Sequence, residues 1–420
     1  MLIIYQLVVH FAAQFLRLIA LFNPKIKLFM EGRKVVFHQL QEAITPSDKT
    51  IWFHAASLGE FEQGLPIIEA IKKKYPSHKI VVSFFSPSGY EVKKSNTIAD
   101  VTVYLPLDTK RNAHNFIKAV HPDLVFFIKY EFWPNYLNEL KQLQIKTFLV
   151  SGIFRKNQAF FKWYGGFYRK ALEAFSYFFV QNENSKTLIQ RLGYQNVMIS
   201  GDTRFDRVMN ILERDNSLDF MDEFCTANTK IIVIGSSWPK DEEMLLNYIN
   251  TSAKNIKFVI APHNIKGDQI KNLKSQLRKK TILYSEYKNE ISFMGQKDKM
   301  KEIQVFIIDT IGILTKIYSY ADIAFVGGGF GNPGVHNILE PATFGIPIVI
   351  GPNYSHFTEA TALVNLGGCI SIKNQNQLKE IIDKLLQNED ERLEKGHICR
   401  TFVQMNAGAT DKISNQISKN

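Results

Sequence analysis

The chain reads as an α/β protein of two doubly wound domains, each a parallel sheet covered by helices. Three observations predict it. Short apolar runs alternate with helical patterns along most of the sequence, and that alternation means a parallel, helix-covered sheet. The rhythm breaks around 197–207, a polar stretch follows at 213–229, and the alternation then resumes, which puts the join of the two domains near residue 210. The 420 residues exceed one compact domain and suit two of ordinary size. Ligands of such folds sit beyond the carboxyl ends of the strands, so the expected site is a cleft that both domains face.

The expected boundaries are 1–28 for an N-terminal membrane-associated helix, 29–209 for the first domain and 210–420 for the second. Residues 1–22 are mostly apolar, with Gln6, His10, Gln14 and Arg17 as their polar side chains. At about 100° per residue these four fall on one narrow stripe. A helix with a wide apolar face and a thin polar stripe lies in a bilayer surface or dips into it. Lys25, Lys27, Arg33 and Lys34 follow and favour an anionic cytoplasmic leaflet. The length also permits a spanning helix. No basic region precedes the apolar run and no A-x-A site closes it, so a cleaved signal is not expected. A buried core helix is the plain alternative.

In the first domain the strand candidates are 51–56, 80–85, 101–105, 124–130, 147–151 and 177–181, with helical patterns such as 63–75 and 136–143 between them. In the second they are 231–235, 258–261, 305–308, 323–326 and 347–350. A hydrophobic content of 45% supplies both cores. Cys225, Cys369 and Cys399 are scattered, which supports neither a disulfide framework nor a zinc site and fits a reducing cytosol. The net charge of +11 points to an acidic partner. Without a dense Lys/Arg block, nucleic acid is not the expected one.

Polar clusters stand where strands end. His54, Ser57, Gly59 and Glu60 follow the first strand. Ser57 and Glu60 fit S-x-x-E, a capping box, and Glu60 also suits a general base for a substrate hydroxyl. Glu131 ends the fourth strand ahead of Phe132, Trp133, Pro134 and Asn135. It reads either as a site acid or as a helix-start acid with aromatic packing. Arg204 lies between Asp202 and Asp206. It can clamp a carboxylate or phosphate, or pair with either aspartate. In the second domain the strand-end groups are Ser236, Ser237 and Trp238; Pro262 and His263; and Asp309, Ile311, Gly312 and Ile313. His263 has no His or Cys at ligand spacing, so a metal is not expected there.

The segment 327–341 opens with Gly327, Gly328 and Gly329 and closes with Asn337, Ile338, Leu339, Glu340 and Pro341. It joins a buried strand to a helix start, where outward N–H groups would make an anion site. Glu340 would repel phosphate and suits sugar hydroxyls. N–H groups for phosphate beside a carboxylate for ribose are what a nucleotide-sugar binder needs. A G-x-G-x-x-G pattern hides inside, but the next strand ends at Gly351, Pro352 and Asn353 without the acid a dinucleotide site requires. A glycine-rich connection that merely packs strand against helix is the plain alternative.

These motifs resemble the 3-deoxy-D-manno-octulosonic acid (Kdo) transferases of lipopolysaccharide synthesis. They run over nearly the whole chain: 54–60 (HAASLGE), 86–89, 131–135, 201–206, 235–238, 262–263 and 327–341. The resemblance implies a GT-B fold, a CMP-Kdo donor, a lipid A precursor (lipid IVA) as acceptor, and an inverting transfer without metal or cofactor at the cytoplasmic face of the inner membrane. It makes Glu60 the base and gives Glu131 to transition-state support. Arg204 falls where many members have lysine. Pro262 and His263 match a CMP loop that is often Pro-Arg, Ile311, Gly312 and Ile313 match a second, and Asn337, Ile338, Leu339 and Glu340 a third with Glu340 on the ribose. Other readings are a GT-B transferase using a UDP-sugar, an NAD-dependent oxidoreductase, and a basic membrane or nucleic-acid adaptor without enzymatic activity.

Overall fold

The computed structural model describes residues 2–290 and 297–419. They form two compact units, 1–207 with 407–420 and 208–406. The division falls close to the expected one, but the last fourteen or so residues pack with the first unit instead of completing the second. Asp206 accounts for this locally: its carboxylate accepts from the Thr410 N–H at 2.6 Å and the Thr410 hydroxyl at 2.6 Å, tying down the start of helix Ala409–Ile417.

The first unit has strands β1 (Lys49–Ala55), β2 (His78–Phe84), β3 (Val101–Tyr104), β4 (Pro122–Ile128), β5 (Lys146–Gly152), β6 (Phe175–Val180) and β7 (Val197–Ile199). The second has β8 (Lys230–Ser237), β9 (Ile256–Pro262), β10 (Thr281–Leu283), β11 (Val305–Ile307), β12 (Ile323–Val326), β13 (Ile348–Ile350) and β14 (Cys369–Ser371). All pairs are parallel, in the orders β3-β2-β1-β4-β5-β6-β7 and β10-β11-β9-β8-β12-β13-β14. Both faces of each sheet carry helices, so a central strand is buried on both sides. β1 shows this, with Thr50 through Ala55 buried without alternation. Strand order reverses between β1 and β4 in one sheet and between β8 and β12 in the other. The crevice beyond those strand ends is where such sheets hold ligands.

Every expected strand is present. The rhythm continues where it was expected to break, because β7 adds to the sheet before helix Thr203–Met209. The N-terminal helix runs Leu2–Ile19. Its polar stripe does not define its outer face. Tyr5 and Gln6 reach inward, the Tyr5 hydroxyl donating to Asp108 and the Gln6 amide to Asn135, each at 2.6 Å. Leu7, Phe11, Phe15 and Leu18 face outward, Phe11 with 73% of its surface exposed. Among the described residues no helix is long and apolar enough to cross a membrane.

Candidate active site

At the β1/β4 reversal the first unit gathers side chains. Ser57 caps helix Leu58–Lys74, and both halves of the capping box form. The Glu60 N–H reaches Ser57 Oγ at 3.4 Å, while Glu60 Oε2 accepts from the N–H groups of Ala56 at 2.6 Å and Ser57 at 3.1 Å. Oε1 takes no hydrogen bond among the described residues. The two readings of Glu60 are therefore compatible: one oxygen caps the helix and the other stays open to a substrate. Burial pushes its pKa above the usual carboxylate value, and the neighbouring Glu131 charge adds to this against the pull of His54 and Lys129.

Glu131 follows β4 by way of Lys129, which holds φ 72°, a left-handed conformation costly for a residue with a side chain. The Lys129 N–H donates to Val150 O at 2.8 Å and fixes that turn. The Trp133 indole N–H is shared between Glu131 Oε2 at 2.9 Å and His54 Nε2 at 3.0 Å. His54 is wholly buried, with Nδ1 at 2.8 Å from Ser83 Oγ, which also accepts the Trp52 indole at 2.7 Å. Glu131 thus belongs to both of its readings, an acid beside Glu60 and a member of an aromatic network. His54 was named in the sequence only as part of a motif. Its link to Glu131 depends on contacts 77 positions apart (131 − 54) and leaves no local signal.

Arg204 adopts the ion-pair alternative. Its guanidinium meets Asp202 through Nε and Nη2, each at 2.8 Å, and its N–H also donates to Asp202. Gln63 donates to the same carboxylate at 2.8 Å, joining Arg204 to the helix that carries Glu60.

The second unit is built differently. Asp241, buried in the first turn of helix Pro239–Thr251, accepts from the N–H groups of Trp238 at 2.9 Å, Gly328 at 2.7 Å and Phe330 at 3.3 Å. The glycine-rich turn therefore does not direct those N–H groups outward, contrary to the anion-site expectation for its glycines. Its glycines serve close packing. A Cβ on Gly329 would stand 2.7 Å from the Gly351 backbone, and Gly328 holds φ 92°.

The expected nucleotide loops meet in two groups. The His263 ring stacks on Trp238 at 4.7 Å and on His336 at 4.4 Å, and the Trp238 indole donates to His336 Nε2 at 2.7 Å. Burial and the adjacent His263 push the His336 imidazole down to about 4, so it is neutral and accepts that bond. Pro262 ends β9, and the His263 N–H donates to Ser237 O. In the other group Thr315 Oγ1 and the Asn337 amide donate to the two oxygens of Glu340, each at 3.0 Å. Thr315 lies just past Ile311, Gly312 and Ile313, so these loops adjoin. Ile311 is 83% exposed and Gly312 has φ 98°. Ile338 and Leu339 are buried, which confines any ligand contact to their backbone. Among the described residues no three His, Cys, Asp or Glu side chains gather as a metal site.

The family model for 3-deoxy-D-manno-octulosonic-acid transferase (kdotransferase) matches residues 17–207, spanning the Glu60 and Glu131 cluster. A 3-deoxy-D-manno-octulosonic acid transferase of Chlamydophila psittaci is 30% identical over 351 residues, covering 81% of this chain and 78% of the relative. The chain belongs to the Kdo transferase family. It is accordingly a glycosyltransferase. Among solved structures, a UDP-GlcNAc 2-epimerase from Neisseria meningitidis aligns with TM-score 0.60 at 15% identity, covering 88% of this chain and 100% of that one. MurG of Acinetobacter baumannii aligns with TM-score 0.55 at 13% identity, covering 89% and 100%. At such identities the likeness concerns the fold alone, and it makes the architecture of this Kdo transferase GT-B-like.

Proposed function

We propose that this Kdo transferase moves Kdo from CMP-Kdo onto a lipid A precursor at the cytoplasmic face of the inner membrane, inverting the anomeric carbon. The observation that carries the reading is Glu60: a buried carboxylate with one oxygen fixed by two backbone N–H groups, the other open, and its pKa raised above the usual carboxylate value by burial. A base is most effective with its pKa near the working pH. Glu60 Oε1 takes the proton of the acceptor hydroxyl as that oxygen bonds to the anomeric carbon. The bond to the CMP phosphate oxygen breaks, and its electron pair leaves with CMP. Glu131 places a second negative charge where the sugar becomes cationic. Arg204 meets an anionic group of the donor, in competition with Asp202. The second unit holds the nucleotide through Pro262, His263, Ile311, Gly312, Ile313 and the Asn337–Glu340 turn, with Glu340 on the ribose hydroxyls. The transfer uses no metal or cofactor, and turnover that survives a chelator checks this.

The outward apolar face of helix Leu2–Ile19 and the lysines after it support a membrane-surface position. The deciding assay gives purified full-length protein CMP-Kdo and a lipid A precursor and reads product mass, which also counts the sugars. Product unchanged in mass overturns the assignment. Inhibition by UDP but not CMP would favour a UDP-sugar donor instead.

A further inference from the structure

Residues 155–170 carry Arg155, Lys156, Lys162, Arg169 and Lys170 and no acidic side chain. At the tip stands Trp163, with 92% of its surface exposed, and its ring meets half-exposed Tyr164 edge-on at 5.6 Å. The tip is fixed. The Lys162 N–H donates to Ala159 O and the Gly165 N–H to Lys162 O, while Arg169 donates to the carbonyls of Phe160 at 2.9 Å and Lys162 at 3.1 Å. A Cβ on Gly165 would lie 1.9 Å from Ala159 O, so the turn is closed tightly. Beneath it Phe160 packs against Phe132 and Phe154. These contacts hold Trp163 outward. It adjoins the N-terminal helix, because the Phe167 ring contacts the Tyr5 ring at 5.4 Å.

A rigid turn that presents an indole and a phenol among unopposed cations matches the chemistry of an anionic bilayer surface. Trp and Tyr favour the headgroup level, and each nearby Lys or Arg adds attraction to acidic lipid. An acidic protein surface would offer charge but no apolar layer for the indole. We propose that the Trp163 turn is a second bilayer contact, seating Trp163 among the headgroups of anionic lipid beside the apolar face of helix Leu2–Ile19. This inference rests on the membrane-surface reading given above and adds a second anchoring point to it. Two separated contacts fix the orientation of the first unit on the membrane, which one helix lying flat leaves rotatable about its axis.

The test uses full-length protein with vesicles of phosphatidylcholine containing phosphatidylglycerol. Of the four tryptophans, Trp52 is buried, and Trp133 and Trp238 are partly buried and hydrogen-bonded. The difference spectrum between wild type and Trp163→Phe therefore isolates Trp163. The expected result is a blue shift of that difference spectrum on anionic vesicles and a roughly tenfold weaker vesicle affinity for Trp163→Ala. Lys156→Glu with Lys162→Glu should weaken it further at low salt. Leu393→Ala, on the second unit, should leave it unchanged. Vesicle binding with an unmoved Trp163 spectrum and unweakened Trp163→Ala overturns the second contact while leaving the helix as anchor. No vesicle binding by wild type overturns both. A blue shift that follows protein concentration without lipid overturns it in favour of contact between copies of this chain.

Discussion

Glu60 and Asp241 occupy the same place in their two units: the third helical position after the first strand at the reversal of the sheet. Both are buried, and burial raises the pKa of both. Their hydrogen bonds separate them. Both oxygens of Asp241 are taken by backbone N–H groups from two loops, which makes it a brace for the glycine-rich turn. Glu60 is capped through one oxygen and has a second acid, Glu131, as an electrostatic neighbour. The difference teaches how one structural device serves two purposes. A helix-capping acid with both oxygens satisfied can only brace, whereas one with an oxygen left over can also meet a ligand.

The largest effect expected from breaking this comparison belongs to Glu60→Gln. Glutamine can still cap the helix, so the fold should persist while turnover falls roughly 10²- to 10⁴-fold and CMP-Kdo affinity stays within about twofold. Single-turnover rates and donor titration check this, and near-normal turnover would remove Glu60 from its role. Next comes Asp241→Ala, which strands three backbone donors and should cost about 3 kcal/mol of stability in denaturant unfolding. An unchanged midpoint would mean that the brace is dispensable. Glu340→Ala should weaken CMP-Kdo binding about tenfold with less effect on the bound-state rate. Equal affinity would count against ribose contact. The smallest effect concerns pH. A base must be ionised, so activity falls on the acid side as Glu60 protonates. Glu131→Gln removes one upward cause and leaves burial, so the acid limb of kcat/KM should move to lower pH by less than about one unit. A limb that stays or rises contradicts the coupling.

The strands were legible because a doubly buried parallel strand is a continuous apolar run, as 323–326 is. The short strands β7, β10 and β14 were not legible, whereas β11 and β13, equally short, were, because Ile308 and Ile346 lengthen their apolar runs. The Glu60 cap was legible from Ser57 three positions earlier. The fate of the glycine N–H groups was not, because their acceptor, Asp241, is 87 positions from Gly328. Arg204 was readable only as a choice between clamping a ligand and pairing with an aspartate, and the structure shows the pair with Asp202. On the N-terminal helix the stripe of Gln6, His10, Gln14 and Arg17 was legible, but Gln6 itself docks inward beside Tyr5, and periodicity alone does not rank which face docks.

The return of residues 407–420 to the first unit bears on how the protein can be taken apart. A fragment ending at residue 207 keeps Asp206 without the chain it caps and uncovers the seat of Ile413 and Ile417, both buried in the first core. Such a fragment invites aggregation, whereas adding a peptide of residues 407–420 should restore its solubility. A circular permutant that joins the C-terminal helix directly to the N-terminal segment would make the first unit one uninterrupted stretch of chain, suited to isolated study.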